Sequence, residues 1–128
     1  MNNRTNYATG ARWEDIVGYS RAVKIGNMIE VSGTTAVEDG VLIGKDDAYL
    51  QTKIILQKIE RVLHTAGASM EHVVRTRLYV TDISRWEEVG RAHGEFFRDI
   101  KPASAMVEVS ALIDPEMLVE IEVTAVLE

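Results

Sequence analysis

The sequence predicts an α+β domain: a mixed β-sheet with two helices on one face, in the order ββαβαββ. Three observations predict it. Short segments alternate apolar and polar residues with the period of two that marks half-buried strands. Two longer segments repeat apolar residues at steps of three and four, as helices do. Turn residues separate these segments, and no repeat, linker or low-complexity stretch intervenes. With 128 residues, 46% of them hydrophobic, the chain can bury one real core, so residues 1–128 read as a single domain.

The elements follow in order. Residues 1–15 are polar and read as loosely ordered. In residues 19–25, Tyr19, Arg21, Val23 and Ile25 alternate with Ser20, Ala22 and Lys24, which predicts a strand. Gly26-Asn27 is a hairpin dipeptide in reversed order, and Met28–Thr34 is the second strand. Glu38-Asp39-Gly40 marks another turn, before a short apolar patch at 41–43. Residues 47–66 give the clearest helix. Thr52, Ile55, Leu56, Ile59, Val62, Leu63 and Ala66 lie on one side, and Lys53, Gln57, Glu60, Arg61 and His64 on the other. Gly67 suits its C-terminal cap.

Val73–Val80 reads as a strand, with Val74, Thr76, Leu78 and Val80 against Val73, Arg75, Arg77 and Tyr79. Ser84-Arg85-Trp86-Glu87 has capping-box spacing, so a second helix starts there. Trp86, Val89, His93 and Phe96 or Phe97 mark its buried stripe, and it ends before Pro102.

Residues 101–128 say most about function. They read as two alternating strands joined through Asp114-Pro115 into a hairpin. In the first strand Ala103, Ala105, Val107 and Val109 oppose Ser104, Met106 and Glu108. In the second, Val119, Ile121, Val123, Ala125 and Leu127 oppose Glu120, Glu122 and Thr124. This hairpin would carry Ser104 and Glu120 on one side. Glu120 and Glu122 point the same way, and that side is either a solvated strand face or the wall of a pocket.

The same segment resembles a known family. Pro102-Ala103, Val107-Glu108-Val109 and Glu120-Ile121-Glu122 match the C-terminal pattern of the YjgF/YER057c/UK114 proteins, the Rid family, whose founding members are enamine/imine deaminases. Gly26-Asn27-Met28-Ile29 followed by Ser32-Gly33 adds to the likeness, which runs from about Val17 to Leu127. The resemblance implies a chorismate-mutase-like fold assembled as a homotrimer. It also implies a ligand cleft at the subunit boundary, where the residue matching Glu120 often positions a water. Tyr19 and Ser32 match positions near that cleft. An Asn-x-x-Tyr element of the second helix is not matched, since Gly90 and His93 stand there.

The decisive departure is Ser104, which occupies the place of the family arginine. A guanidinium fork holds a carboxylate through two hydrogen bonds. A serine hydroxyl carries no charge and has less reach. Losing such a contact costs on the order of 2–5 kcal/mol of binding, so enamine and imine acids derived from amino acids are poor substrates for this chain. Arg21, Arg75 or Arg77 could supply the charge from elsewhere, or could be surface residues. Trp13, beside Arg12, either packs onto the domain or closes a pocket.

Composition narrows the remaining classes. Fourteen basic against twenty acidic side chains give a net charge of -6, with no basic run to neutralise phosphates, so nucleic acid is not an expected partner. No cysteine is present, which removes disulfides and thiolate chemistry. His64, His72 and His93 lack metal-ligand or triad spacing, so neither a metal nor another cofactor is expected. His64 and His72 read as surface residues. His93, on its helix's apolar stripe, is either a satisfied core or interface histidine or a site residue. No segment has the length of a membrane span, and the expected location is cytoplasmic.

The leading functional reading is a homotrimer binding a small metabolite in an inter-subunit cleft, with a hydrolytic activity left open. Glu120 and Ser104 are its candidate catalytic groups, and Tyr19, Ser32 and His93 join them as candidate ligand contacts. The competing readings are an imine deaminase with a displaced arginine and, as a third class, an interaction protein or a translation-inhibiting ribonuclease, a label some members of the resembling family carry.

Overall fold

The computed structural model describes residues 3–128. A six-stranded mixed sheet is covered on one face by helices, and a small two-stranded ribbon lies beside it. The elements are β1 (Arg4–Tyr7), α1 (Arg12–Val17), β2 (Ala22–Ile25), β3 (Met28–Thr34), the ribbon strands β4 (Val37–Glu38) and β5 (Val41–Leu42), α2 (Ala48–Thr65), β6 (Val73–Val80), α3 (Trp86–Phe97), β7 (Ala103–Glu108) and β8 (Val119–Val126). The predicted ββαβαββ order is β2-β3-α2-β6-α3-β7-β8. Of residues 1–15, expected to be loose, 1–2 lie outside the described residues, and the others instead contribute β1, paired antiparallel with β2, and the start of α1. Buried Glu14 fastens this segment by accepting from the Thr9 N–H at 3.1 Å and the Thr9 hydroxyl at 2.5 Å.

Local chemistry explains the helix ends and turns. Asp47 caps α2 by accepting from the Leu50 N–H at 2.9 Å. At the other end the Ala68 N–H reaches Leu63 O and the Gly67 N–H reaches His64 O, with Gly67 at φ 87°. That is the Schellman arrangement, which needs the left-handed conformation glycine adopts cheaply. α3 starts later than its sequence suggests. Asp82, not Ser84, is the capping acceptor, taking both the Ser84 N–H and the Ser84 hydroxyl, and a 3-10 turn at Ile83–Arg85 precedes the helix. Trp86 then faces outward at 55% exposure, and Val89, Ala92 and Phe97 carry the buried stripe.

The sheet order is β1-β2-β3-β8-β6-β7. This overturns the expected C-terminal hairpin: β7 and β8 do not pair with each other. β7 runs parallel to β6 after the α3 crossover, and β8 returns antiparallel between β3 and β6. Residues 109–118 make a connection longer than the two to five residues of a usual hairpin loop, long enough to step over one strand. Buried Gln51 of α2 holds its end. Its amide donates to Gly44 O and Glu116 O at 3.0 Å each and accepts from the Leu118 N–H at 2.9 Å.

The core lies between the sheet and α2, which packs over β3 and β8 with α3 beside it. Ile29, Val31, Ile55, Leu56, Ile59, Leu63, Leu78, Val80, Val119, Ile121 and Val123 fill it. A bulge between Val73 and Arg75 swaps the parity at the start of β6, so Val73 is buried and Val74 exposed, the reverse of strict alternation. Beyond the bulge, Thr76, Leu78 and Val80 face the helices, and Arg75, Arg77 and Tyr79 lie on the open face.

Candidate functional site

Strand register separates the two residues the sequence placed side by side. Ser104 is level with Thr76 on β6, and Glu120 is level with Tyr79. β6 lies between them, and two strand spacings plus three residues of stagger put their Cα atoms roughly 14 Å apart. They also face opposite ways. Ser104 shares the helix side with Thr76, whereas Glu120 alternates with the buried Val119 and Ile121 and points to the open face. Met106, which shares the parity of Ser104, and Leu118 pack against the core. The open face of β6 and β8 is thus polar, with Arg77, Tyr79, Glu120, Glu122 and Thr124.

Glu120 lines a cavity of about 730 Å³ that reaches round the end of β3 toward α2. Tyr19, Arg21, Gly33, Lys58 and Met117 line it too, and Trp13 comes from α1. The chain builds it with a break in the β3–β8 ladder between Val31 and Thr34. At that break stands Gly33, whose missing side chain makes room: a Cβ there would collide with the Glu120 carboxylate. An isolated strand glycine is the sequence signal for such a close approach. Burial pushes the Glu120 carboxyl above its ordinary value, neighbouring Glu122 adds to this, and Arg21 opposes it. A carboxyl so placed can hold a proton closer to neutrality and exchange it with a bound water or ligand.

Arg21 is the cation nearest in kind to the missing fork. Its Nη2 donates to Gly33 O at 2.6 Å, its Cζ lies 5.7 Å from the Tyr19 ring centroid, and its Nε is buried without a hydrogen-bond partner. Arg75 and Arg77 stay on β6, level with Thr124 and Glu122, and do not line the cavity. Lys58 donates to Thr35 O and Val37 O at 2.8 and 2.6 Å, and burial, with Arg21 and Arg61, pushes its ammonium below the usual value. Ser32 stands outside the cavity wall. Its hydroxyl donates to Ser20 O at 2.6 Å and its N–H to Arg21 O at 3.0 Å, so it holds the segment before β2 that carries Tyr19 and Arg21 to the cavity.

The remaining candidates form a second cluster. Thr76, fully buried, lies between two partners: its Oγ1 is 2.9 Å from His93 Nε2 and 2.8 Å from Ser104 Oγ. The structure thus brings Tyr19 and Glu120 together, joins Ser104 to His93 elsewhere, and adds Arg21, Gly33 and Thr76. Among the described residues no group of His, Asp or Glu is arranged to hold a metal ion, and no helix is long and apolar enough to cross a membrane.

A family model described as Endoribonuclease L-PSP matches residues 9–127. The crystal structure of Rv2704 from Mycobacterium tuberculosis, a member of the YjgF/YER057c/UK114 family, superposes with a TM-score of 0.88 at 50% identity, covering 97% of this chain and 99% of that one. The chain belongs to this family. Among relatives of the Rid family, a RutC family protein of Pyrococcus abyssi is 37% identical, covering 84% of each chain. An uncharacterised protein of Streptomyces coelicolor is 36% identical over 91% of this chain and 87% of its own. The Rid fold expected from the C-terminal motif is the fold observed.

Proposed function

We propose that this protein is a cytoplasmic homotrimer that binds a small polar metabolite in a cleft between two chains and is not an enamine/imine deaminase of the usual type. The observation that carries the reading is Glu120, a half-buried carboxyl held above its ordinary value in a 730 Å³ cavity beside Arg21 and Tyr19. Such a cavity offers an acid–base group in Glu120, cations in Arg21 and Lys58, and a phenol in Tyr19, enough to orient a small polar molecule and a water.

A second copy as the other wall is supported by the cavity's own rim. Trp13, Val17 and Ile113 line it at 41%, 67% and 72% exposure, an apolar mouth better covered than solvated. The β7 edge is exposed along most of its length as well. Ser104 and Glu120 of one chain face opposite ways, so a cleft using both takes each from a different copy, and closed three-fold symmetry supplies three such clefts. Light scattering on the full chain at micromolar concentration should give the trimer mass. A monomer would remove the cleft.

A small-molecule titration followed by amide shifts tests the ligand. Neutral carbonyl compounds should perturb Tyr19, Gly33 and Glu120 more strongly than small carboxylates do, with the effect lost in Glu120→Gln. Perturbations confined to other residues would sink the reading.

The displaced-arginine deaminase is the second reading, favoured by the presence of Arg21 in the same cavity. Its guanidinium is already engaged with Gly33 O and the Tyr19 ring, which supports poor carboxylate clamping. A coupled assay generating 2-aminoacrylate should show negligible turnover. Efficient turnover that disappears in Arg21→Gln would establish the deaminase instead. The ribonuclease reading has less support, because the net charge is -6 and Arg61 at the cavity is paired with Glu38 at 2.6 Å.

A further inference from the structure

The hydroxyl that replaces the family arginine is not isolated. Ser104 sits exposed on the edge strand β7, and behind it Thr76 and His93 form a continuous hydrogen-bonded line into the protein. Thr76 has no solvent exposure, and its neighbours on β6 that face the helices are apolar. The Thr76 hydroxyl has one proton and touches two partners, so the line has two directions. In one, His93 Nε2–H donates to Thr76, Thr76 donates to Ser104, and the Ser104 proton points outward. In the other, Ser104 donates to Thr76, Thr76 donates to a bare Nε2, and the Ser104 lone pairs point outward.

We propose that Ser104, Thr76 and His93 form a proton relay, with Ser104 as its solvent-facing outlet, serving hydrolysis of an uncharged carbonyl or imine compound. Ser104 alone touches the reacting water. As that water attacks the electrophilic carbon, its proton passes to Ser104 Oγ, the Ser104 proton to Thr76 Oγ1, and the Thr76 proton to His93 Nε2. The water oxygen forms the new bond to carbon, and the π-bond electron pair moves to the carbonyl oxygen or imine nitrogen. The carbon's bond to the leaving oxygen or nitrogen then breaks as C=O forms, and the relay run backwards returns the proton to the departing alkoxide or amine; for an imine the second proton, from the new hydroxyl, also passes to the nitrogen, and no other reactant is consumed.

The surroundings suit this work. His93 is half-buried against the Phe97 ring, centroids 4.7 Å apart, and burial is the one cause holding its pKa below the ordinary value. The charged groups around it are engaged or turned away. On its own helix Arg91 lies over the Tyr49 ring, Glu95 accepts from the Tyr49 hydroxyl, and Glu88 pairs with Arg85. On β6, Arg75 and Arg77 occupy the opposite face. The imidazole is therefore neutral and able to accept at neutral pH. An uncharged outlet also suits an uncharged substrate, since nothing at Ser104 repays the desolvation of an anion.

Within one chain the relay and the Glu120 cavity lie on opposite faces of the sheet. The test of the relay uses the full chain, p-nitrophenyl acetate as a neutral probe, and NMR titration of His93. Protein-dependent hydrolysis should rise with pH around the inflection that NMR gives for His93. Ser104→Ala and Thr76→Val should each lower it at least tenfold, and Thr76→Ser should restore it. Absence of hydrolysis, full activity in Thr76→Val or Ser104→Ala, or a rate that ignores the His93 titration would overturn the relay.

Discussion

The Glu120 carboxylate occupies the space where a side chain at Gly33 would stand. Gly33 has an ordinary backbone conformation, absent from the glycines with positive φ, so its role is room and not flexibility. Gly33→Ala should push Glu120 out of position. Ligand affinity should fall on the order of tenfold or more, about 1.4 kcal/mol, with the state of assembly unchanged. Titration calorimetry alongside light scattering measures both. Unchanged affinity would mean that the carboxylate does not contact the ligand.

Glu120 also makes a pH-dependent stability difference whose sign is fixed. Its folded-state pKa is raised, so the folded chain holds the proton more tightly than the unfolded one. That contribution is fully present below the unfolded carboxyl value and is lost as pH rises through the folded value. Glu120→Gln removes the loss. Thermal melts should show the variant gaining on the parent between pH 4 and pH 8, at the expense of binding. A parent that gains on the variant with rising pH would contradict the desolvation of Glu120.

Gln51 tests the architecture. Its amide satisfies Gly44 O, Glu116 O and the Leu118 N–H in a fully buried setting. Gln51→Leu keeps the volume and leaves those groups unpaired, so urea unfolding should show a loss of about 2–4 kcal/mol. A neutral result would show that the 109–118 connection has other anchors.

Much of this was legible in the sequence, and the failures share physical causes. Period two and period 3.6 gave the ββαβαββ order, because burial of one face imposes them. Pairing is a long-range property, so strands adjacent in sequence were joined although β6 separates them. β8 has one apolar parity, which set Glu120 on the open face correctly. β7 is apolar in both parities: Ala103, Ala105 and Val107 compete with Met106. Met106 packs inward and carries Ser104 to the helix side with it. Thr76 amid Val74, Leu78 and Val80 was a readable signal, since a hydroxyl in an apolar stripe needs a buried partner. Arg21 and Gly33 become site residues only through the break in the β3–β8 ladder, which periodicity does not reveal.

The central claim is that Glu120 and Arg21 bound a ligand cavity completed by a second copy. A crystal structure of the assembled protein soaked separately with acetamide and with pyruvate tests it most directly. The account predicts a trimer with the neutral amide bound within hydrogen-bond reach of Glu120, and Ser104 of a neighbouring chain closing the cleft. A monomer, or soaked crystals with the amide bound only away from Glu120, would contradict it.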